Sequence, residues 1–233
     1  MSNKTRMAYD RWSEKYDAER NPQILMEHDE VVRLVDARPG ESILDAACGT
    51  GKYTIEFHNA GAAVMGVDFS DGMLAVAARK HPALSFRYAD LSLPLPFEAA
   101  SFDKVNCAQA LKHIADLRAV FRDVARVLRP GGAFIFSVTH PDMCWDDYEI
   151  DSRADVDLRA EADMHDHRFC DYFEALERNG FDLDRLVQIP VSDKIKHLLT
   201  PESFWKVQGR YQVLAIRAKR HKQDLGPTPL PCN

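Results

Sequence analysis

Apolar residues along this chain follow two rhythms that take turns from about residue 42 to residue 218. Short runs rich in β-branched and aromatic residues predict strands at Ser42 to Ala47, Ala63 to Phe69, Leu84 to Ala89, Phe102 to Cys107, Ala133 to Thr139, Leu183 to Pro190 and Tyr211 to Ala218. Apolar positions three and four apart predict helices over Tyr53 to Ala60, Gly72 to His81, Leu117 to Leu128 and Phe169 to Asn179, with Val120, Val124, Val127 and Leu128 forming one such stripe. This alternation builds a mostly parallel α/β sheet covered by helices. Helix punctuation agrees with it. Ser70 or Asp71 can cap the second helix, Arg129-Pro130-Gly131-Gly132 stops the third, and Asn179-Gly180 ends the fourth. Two further helical stretches precede the first strand, one carrying Tyr9, Trp12 and Tyr16 and the other running through Ile24, Val31, Val32, Leu34 and Val35. They make residues 1–38 an N-terminal extension suited to covering a pocket.

Two segments leave the alternation. Between 140 and 166 a long connection carries ten acidic residues against Arg153 and Arg159, which predicts a lid or insertion. From 220 to 233, Gly226-Pro227, Pro229 and Pro231 have linker composition, so a single domain over 1–219 with a disordered tail is expected. Composition fits that picture: 233 residues, 45% hydrophobic and 28% charged, are enough to bury one sizeable core. No apolar run approaches the roughly 18 residues of a membrane span, and Met1 to Trp12 lacks the apolar centre of a secretory signal, so no membrane association and a cytoplasmic location are expected. The five cysteines (Cys48, Cys107, Cys144, Cys170, Cys232) are odd in number, widely spaced and free of C-x-x-C, which fits reduced thiols. A net charge of -6 argues against a nucleic-acid partner.

The chemistry concentrates where the first strand runs into small residues and then a helix, Ile43-Leu44-Asp45-Ala46-Ala47-Cys48-Gly49-Thr50-Gly51-Lys52. Small side chains there let a ligand approach the backbone. A P-loop would need glycine where Ala46 stands and a hydroxyl where Tyr53 stands. A dinucleotide fingerprint finds Gly49 and Gly51 but meets Thr54 at its third glycine.

The segment Asp45-Ala46-Ala47-Cys48-Gly49-Thr50-Gly51 resembles motif I of class I S-adenosylmethionine-dependent methyltransferases, with Ala47 departing at the first glycine. The resemblance continues in order through Val64-Met65-Gly66-Val67-Asp68-Phe69-Ser70 with Met73-Leu74, Tyr88-Ala89-Asp90-Leu91, Leu95-Pro96-Phe97, Ser101-Phe102-Asp103-Lys104-Val105 to His113-Ile114, and Val127-Leu128-Arg129-Pro130-Gly131-Gly132. It covers roughly Tyr9 to Thr139 and is similar to the small-molecule branch that includes ubiquinone and menaquinone methyltransferases. It implies a Rossmann-like seven-stranded, mostly parallel sheet with the last strand antiparallel and helices on both faces. It also implies methyl transfer from S-adenosylmethionine to an O, N or C nucleophile of a small molecule. Gly49, Gly51 and Ala47 would leave room for the methionine portion, and Asp45 would order the loop or meet the ammonium. Asp68, 17 residues after Gly51, would accept from the ribose hydroxyls. Asp90 would accept from the adenine amino group, with Phe69, Met73, Ala89 and Leu91 around the ring, and Cys107 and Ala108 would reach the methionine portion.

Near the transferred methyl, in-line displacement asks mainly for positioning, and a general base only when the nucleophile must lose a proton. His140 and His113 are the candidate bases. Gln109, Trp145, Tyr148, His167 and Tyr16 are candidate substrate contacts, Trp145 and Tyr148 because aromatic faces beside carboxylates favour a cationic group. His165-Asp166-His167 matches no standard ligand spacing, and no metal is expected. Two other functions stay open: an NAD-dependent oxidoreductase, and a non-catalytic S-adenosylmethionine-binding regulator.

Overall fold

The computed structural model describes residues 1–18, 21–141 and 161–222. Helices α1 (Asn3–Trp12) and α2 (Pro22–Val35) precede β1 (Ser42–Ala46), α3 (Lys52–Asn59), β2 (Ala63–Asp68), α4 (Asp71–Lys80), β3 (Ser85–Tyr88) and β4 (Phe102–Ala108). A 3-10 turn (Leu111–His113), α5 (Leu117–Val127), β5 (Leu128–Thr139), α6 (Phe169–Arg178), β6 (Phe181–Pro190), a second 3-10 turn (Asp193–Leu198), α7 (Pro201–Val207) and β7 (Tyr211–Arg220) follow.

The seven strands form one sheet in the order β3-β2-β1-β4-β5-β7-β6. Neighbours from β3 to β5 pair in parallel, and β7 lies antiparallel between β5 and β6. The strand order reverses between β1 and β4, and open α/β sheets bind ligands at the C-terminal strand ends beside such a switch. Both faces are apolar. Along β5, Phe134 and Phe136 point to one side and Ala133 and Ile135 to the other; along β7, Leu214 and Ile216 oppose Val213 and Ala215. The first side packs on α5 and α6 through Val120, Phe121, Val124, Tyr172 and Leu176. The second packs on α2 and α3 through Val31, Leu34, Tyr53 and Phe57.

All seven expected strands are present, and the four helices expected between them end within a residue or two of their predicted limits; the stretch expected to carry Tyr9, Trp12 and Tyr16 as a helix ends at Trp12, and Tyr16 lies in the turns that follow. Leu128 is a correction: it opens β5 by pairing with Phe102 instead of closing the helix, so Arg129 to Gly132 form an irregular start to that strand. The second 3-10 turn and α7 were not expected. Each is too short to show a helical period, although Thr200 caps α7 by accepting from Ser203 N and Pro201 takes its first position. They close a small apolar cluster of Met26, Ile195, Phe204 and Val213 under α2. Most of the expected acidic lid, with Trp145 and Tyr148, and the tail beyond 222 lie outside the described residues.

Phe121 is fully buried and packs edge-on against Phe134 and Phe136 at 5.1 and 5.4 Å between ring centres. Phe121→Ala is expected to cost about 3–5 kcal/mol. Chemical denaturation should register this as a lower midpoint at unchanged slope.

Candidate active site

The loop between β1 and α3 turns through three left-handed residues, Ala47 (φ 60°), Gly49 (φ 54°) and Gly51 (φ 82°). Ala47 pays a small strain where glycine would pay none. Gly51 must stay small, since a Cβ there would come within 3.0 Å of His81 and 3.1 Å of Phe86. At Gly49 a Cβ would meet nothing within 4 Å, so the backbone is open on that side.

Two buried carboxylates hold this loop. Asp68, at the end of β2, accepts from Gly49 N at 2.9 Å and from Ser70 N at 2.9 Å. Burial pushes its pKa up to about 6 against these hydrogen bonds. Asp45, inside β1, accepts from Thr54 Oγ1 at 2.6 Å and Asn106 Nδ2 at 2.8 Å, and burial raises it likewise to about 6. Thr54, which breaks the dinucleotide pattern, thus serves as a tie between helix and strand. The chain leaves β4 through Gln109, another left-handed residue (φ 56°). Asn106 Oδ1 and Gln109 Oε1 are buried with no hydrogen-bond partner, and such acceptors are a cost unless a donor arrives.

A third acid lies with them. Glu27 of α2 is fully buried, accepts from Tyr53 Oη at 3.0 Å and Gln109 Nε2 at 2.6 Å, and also bonds the Ser137 side chain. Burial lifts its pKa to about 7. Neither Glu27 nor Tyr53 was expected from the sequence as a site residue. The signal was there for Glu27: it occupies the apolar stripe of α2 between Ile24 and Val31, where an acid has no packing reason to be.

The N-terminal extension roofs the strand ends. Asp10 of α1 accepts from Ser70 Oγ at 2.6 Å and Gly72 N at 3.0 Å, placing a carboxylate on the N-terminus of α4. Gly72 allows this approach, because a Cβ there would lie 2.9 Å from the Asp10 carbonyl oxygen. Tyr9 packs edge-on against Phe69, Tyr16 packs edge-on against Trp12, and Thr50 Oγ1 donates to Asp17 at 2.8 Å. Met73, Ala89 and Leu91 are buried beneath the same end of the sheet, whereas Asp90 accepts from Ser92 N and from the amino group of Met1. Cys107 is buried in β4 and Ala108 ends that strand.

The histidines are engaged elsewhere. His113 Nδ1 faces the carbonyl of Asp163 at 2.8 Å and so carries the proton, which leaves Nε2 to accept from Tyr9 Oη at 2.9 Å. Burial, helped by the Lys112 charge, holds its pKa down at about 4, so it is neutral and spoken for. His140 bonds Gln188 of β6 at 2.8 Å and stacks on Tyr211. His167 Nε2 donates to the Ile114 carbonyl at 2.8 Å. The structure therefore gathers Asp45, Ala47, Gly49, Gly51 and Asp68 at the glycine loop, sets Gln109 against Glu27, and gives the expected bases anchoring contacts.

Comparison with known proteins agrees with this geometry. Residues 44–136 match the methyltransferase domain family. A demethylmenaquinone methyltransferase of Bacillus cytotoxicus is 35% identical over 138 residues, 54% of this chain and 58% of that protein. The chain thus spans a little over half the length of the curated relatives it matches. The crystal structure of an S-adenosylmethionine dependent methyltransferase from Mesorhizobium loti superposes with a TM-score of 0.69 at 27% identity, covering 84% of this chain and 98% of that one. A geranyl diphosphate methyltransferase in complex with GPP and sinefungin shares the fold, with a TM-score of 0.62 at 20% identity, covering 83% of this chain and 78% of that one.

 The domain match and these likenesses bear out the resemblance to class I S-adenosylmethionine-dependent methyltransferases of the quinone-biosynthesis type. They favour neither the oxidoreductase nor the regulator. No helix among the described residues is long and apolar enough to cross a membrane.

Asp10→Ala should detach α1 from α4 without unfolding the domain, at a cost of about 1–2 kcal/mol for the lost charge-assisted bonds. Hydrogen exchange should then quicken across Asn3–Trp12 while Pro22–Val35 keeps its protection. Equal exchange in both proteins would show that Asp10 does not hold the roof.

Proposed function

We propose that this protein transfers a methyl group from S-adenosylmethionine to a small-molecule acceptor by in-line displacement. The observation that carries this reading is Asp68, a buried carboxylate held between Gly49 N and Ser70 N beside the open face of the glycine loop. A carboxylate so placed suits two ribose hydroxyl donors, and the loop backbone at Gly49 and Gly51 suits the methionine portion. Asp45 acts through Thr54 and Asn106 to set the loop. Phe69, Met73, Ala89 and Leu91 would border the adenine, with Asp90 accepting from its amino group once freed from Met1. Cys107 and Ala108 would back the methionine portion. The cofactor, when bound, supplies an electrophilic methyl on a positively charged sulfur. The chain's own part is to orient the acceptor and exclude water, for which the roof of Tyr9, Trp12 and Tyr16 is placed. Buried thiols at Cys48 and Cys107 support a reducing, cytoplasmic setting.

Calorimetric titration with S-adenosylmethionine, S-adenosylhomocysteine and NAD tests the reading: the first two should bind, and binding of NAD alone would overturn it. Asp68→Asn should weaken S-adenosylhomocysteine by about 1–3 kcal/mol, roughly 5- to 150-fold. Ribose donors favour the ionised carboxylate, so affinity of the parent protein should fall as pH drops through about 6. The Asp68→Asn protein should lose that dependence.

A further inference from the structure

We propose that Glu27 and Gln109 form an ammonium site for the methyl acceptor, with Glu27 taking the proton that frees the nitrogen lone pair, so that the acceptor is a primary or secondary amine. The proposal rests on the methyltransferase reading and adds the acceptor class to it.

The geometry comes first. Glu27 reaches the strand ends from α2 and is bound by Tyr53 at the start of α3, Gln109 leaving β4, and Ser137 in β5, so its carboxylate stands over the switch point of the sheet. Among the described residues it forms no ion pair. The titratable groups that face it are Tyr53, which binds it, Tyr16, whose phenol its charge helps keep protonated, and Lys112 and Lys52, which act through space. Gln109 spends its amide N–H on Glu27 and keeps a buried Oε1 without a partner, on a backbone twisted to φ 56°. A carboxylate and an amide oxygen side by side are two acceptors. A single hydroxyl can satisfy only one of them, whereas an ammonium has several N–H donors and also brings the missing counter-charge. Without such a ligand, burial favours the neutral acid, and the pKa of about 7 agrees.

The step balances. An N–H bond of the incoming ammonium breaks and its proton passes to the Glu27 carboxylate, leaving a neutral amine. The amine nitrogen then forms the new C–N bond to the methyl as the C–S bond breaks. The electron pair of that bond stays on sulfur as a thioether, and the positive charge moves to the methylated nitrogen.

Three measurements test this on the full chain, with the parent protein and Glu27→Gln compared after thermal melting confirms that both fold. Calorimetry with S-adenosylhomocysteine and with 5′-methylthioadenosine, which lacks the amino-acid portion, should give affinities within about twofold between the two proteins. Loss of S-adenosylhomocysteine affinity alone would assign Glu27 to the amino group of the cofactor and overturn the proposal. Transfer of labelled methyl to primary and secondary amines, set against alcohols and phenols of the same skeletons, should favour the amines. Glu27→Gln should lower kcat at least 100-fold and remove a limb rising through pH 7. Turnover of hydroxyl compounds alone, turnover of nothing while S-adenosylhomocysteine binds, or an undiminished Glu27→Gln rate would each overturn it. If the variant does not fold, carboxyl carbon NMR of the parent protein decides: the amine turned over fastest should lower the Glu27 titration midpoint, and an unmoved midpoint refutes the site. Failure of S-adenosylhomocysteine to bind at all would instead remove the methyltransferase reading beneath the proposal.

Discussion

Burial of charge at the C-terminal edge of the sheet is the constraint around which this structure is arranged. Asp45, Asp68 and Glu27 are almost wholly shielded from water, and among the described residues none of them forms an ion pair. Each is tolerated because backbone or side-chain donors converge on it: Gly49 and Ser70 on Asp68, Thr54 and Asn106 on Asp45, Tyr53 and Gln109 on Glu27. Those donors lie on the glycine loop, the N-cap of α4, the first turn of α3 and the end of β4 with its exit. Satisfying the acids therefore also fixes the loop geometry.

The same burial sets a pH dependence. All three carboxyls hold protons more tightly in the folded chain than in the unfolded one, with values near 6, 6 and 7. Their contribution to stability is thus full below the ordinary carboxylate range and is lost as pH rises through about 6 to 7. At neutral pH the edge of the sheet carries negative charge that it cannot neutralise internally. A positively charged ligand resolves that tension, and both a sulfonium and an ammonium would do so.

Much of the fold was legible because its signals are local. The seven strands follow from period-two and fully apolar runs, and Asp68 stands out because a strand rich in valine ends on an acid just before a capping serine. What was less legible depends on distance in space. His113 looks like a base in sequence, but its two ring nitrogens are claimed by Tyr9 and by Asp163, 104 and 50 residues away. Glu27 shows the converse: its role emerges only when α2 is laid against β4 and β5, bringing it to Gln109 across 82 positions. The turn and helix between β6 and β7 were missed because their order comes from packing under α2, not from a period of their own.

His113 also ties α1 to the backbone at Asp163. Its Nε2 holds Tyr9 of the roof while its Nδ1 holds the backbone at Asp163, and Thr5 of α1 accepts from Asp163 N at 2.9 Å. Helix α1 and the backbone at Asp163 are therefore held together by the His113 imidazole, with Thr5 as a second tie. Neither can swing aside without disturbing the bond that retains the other.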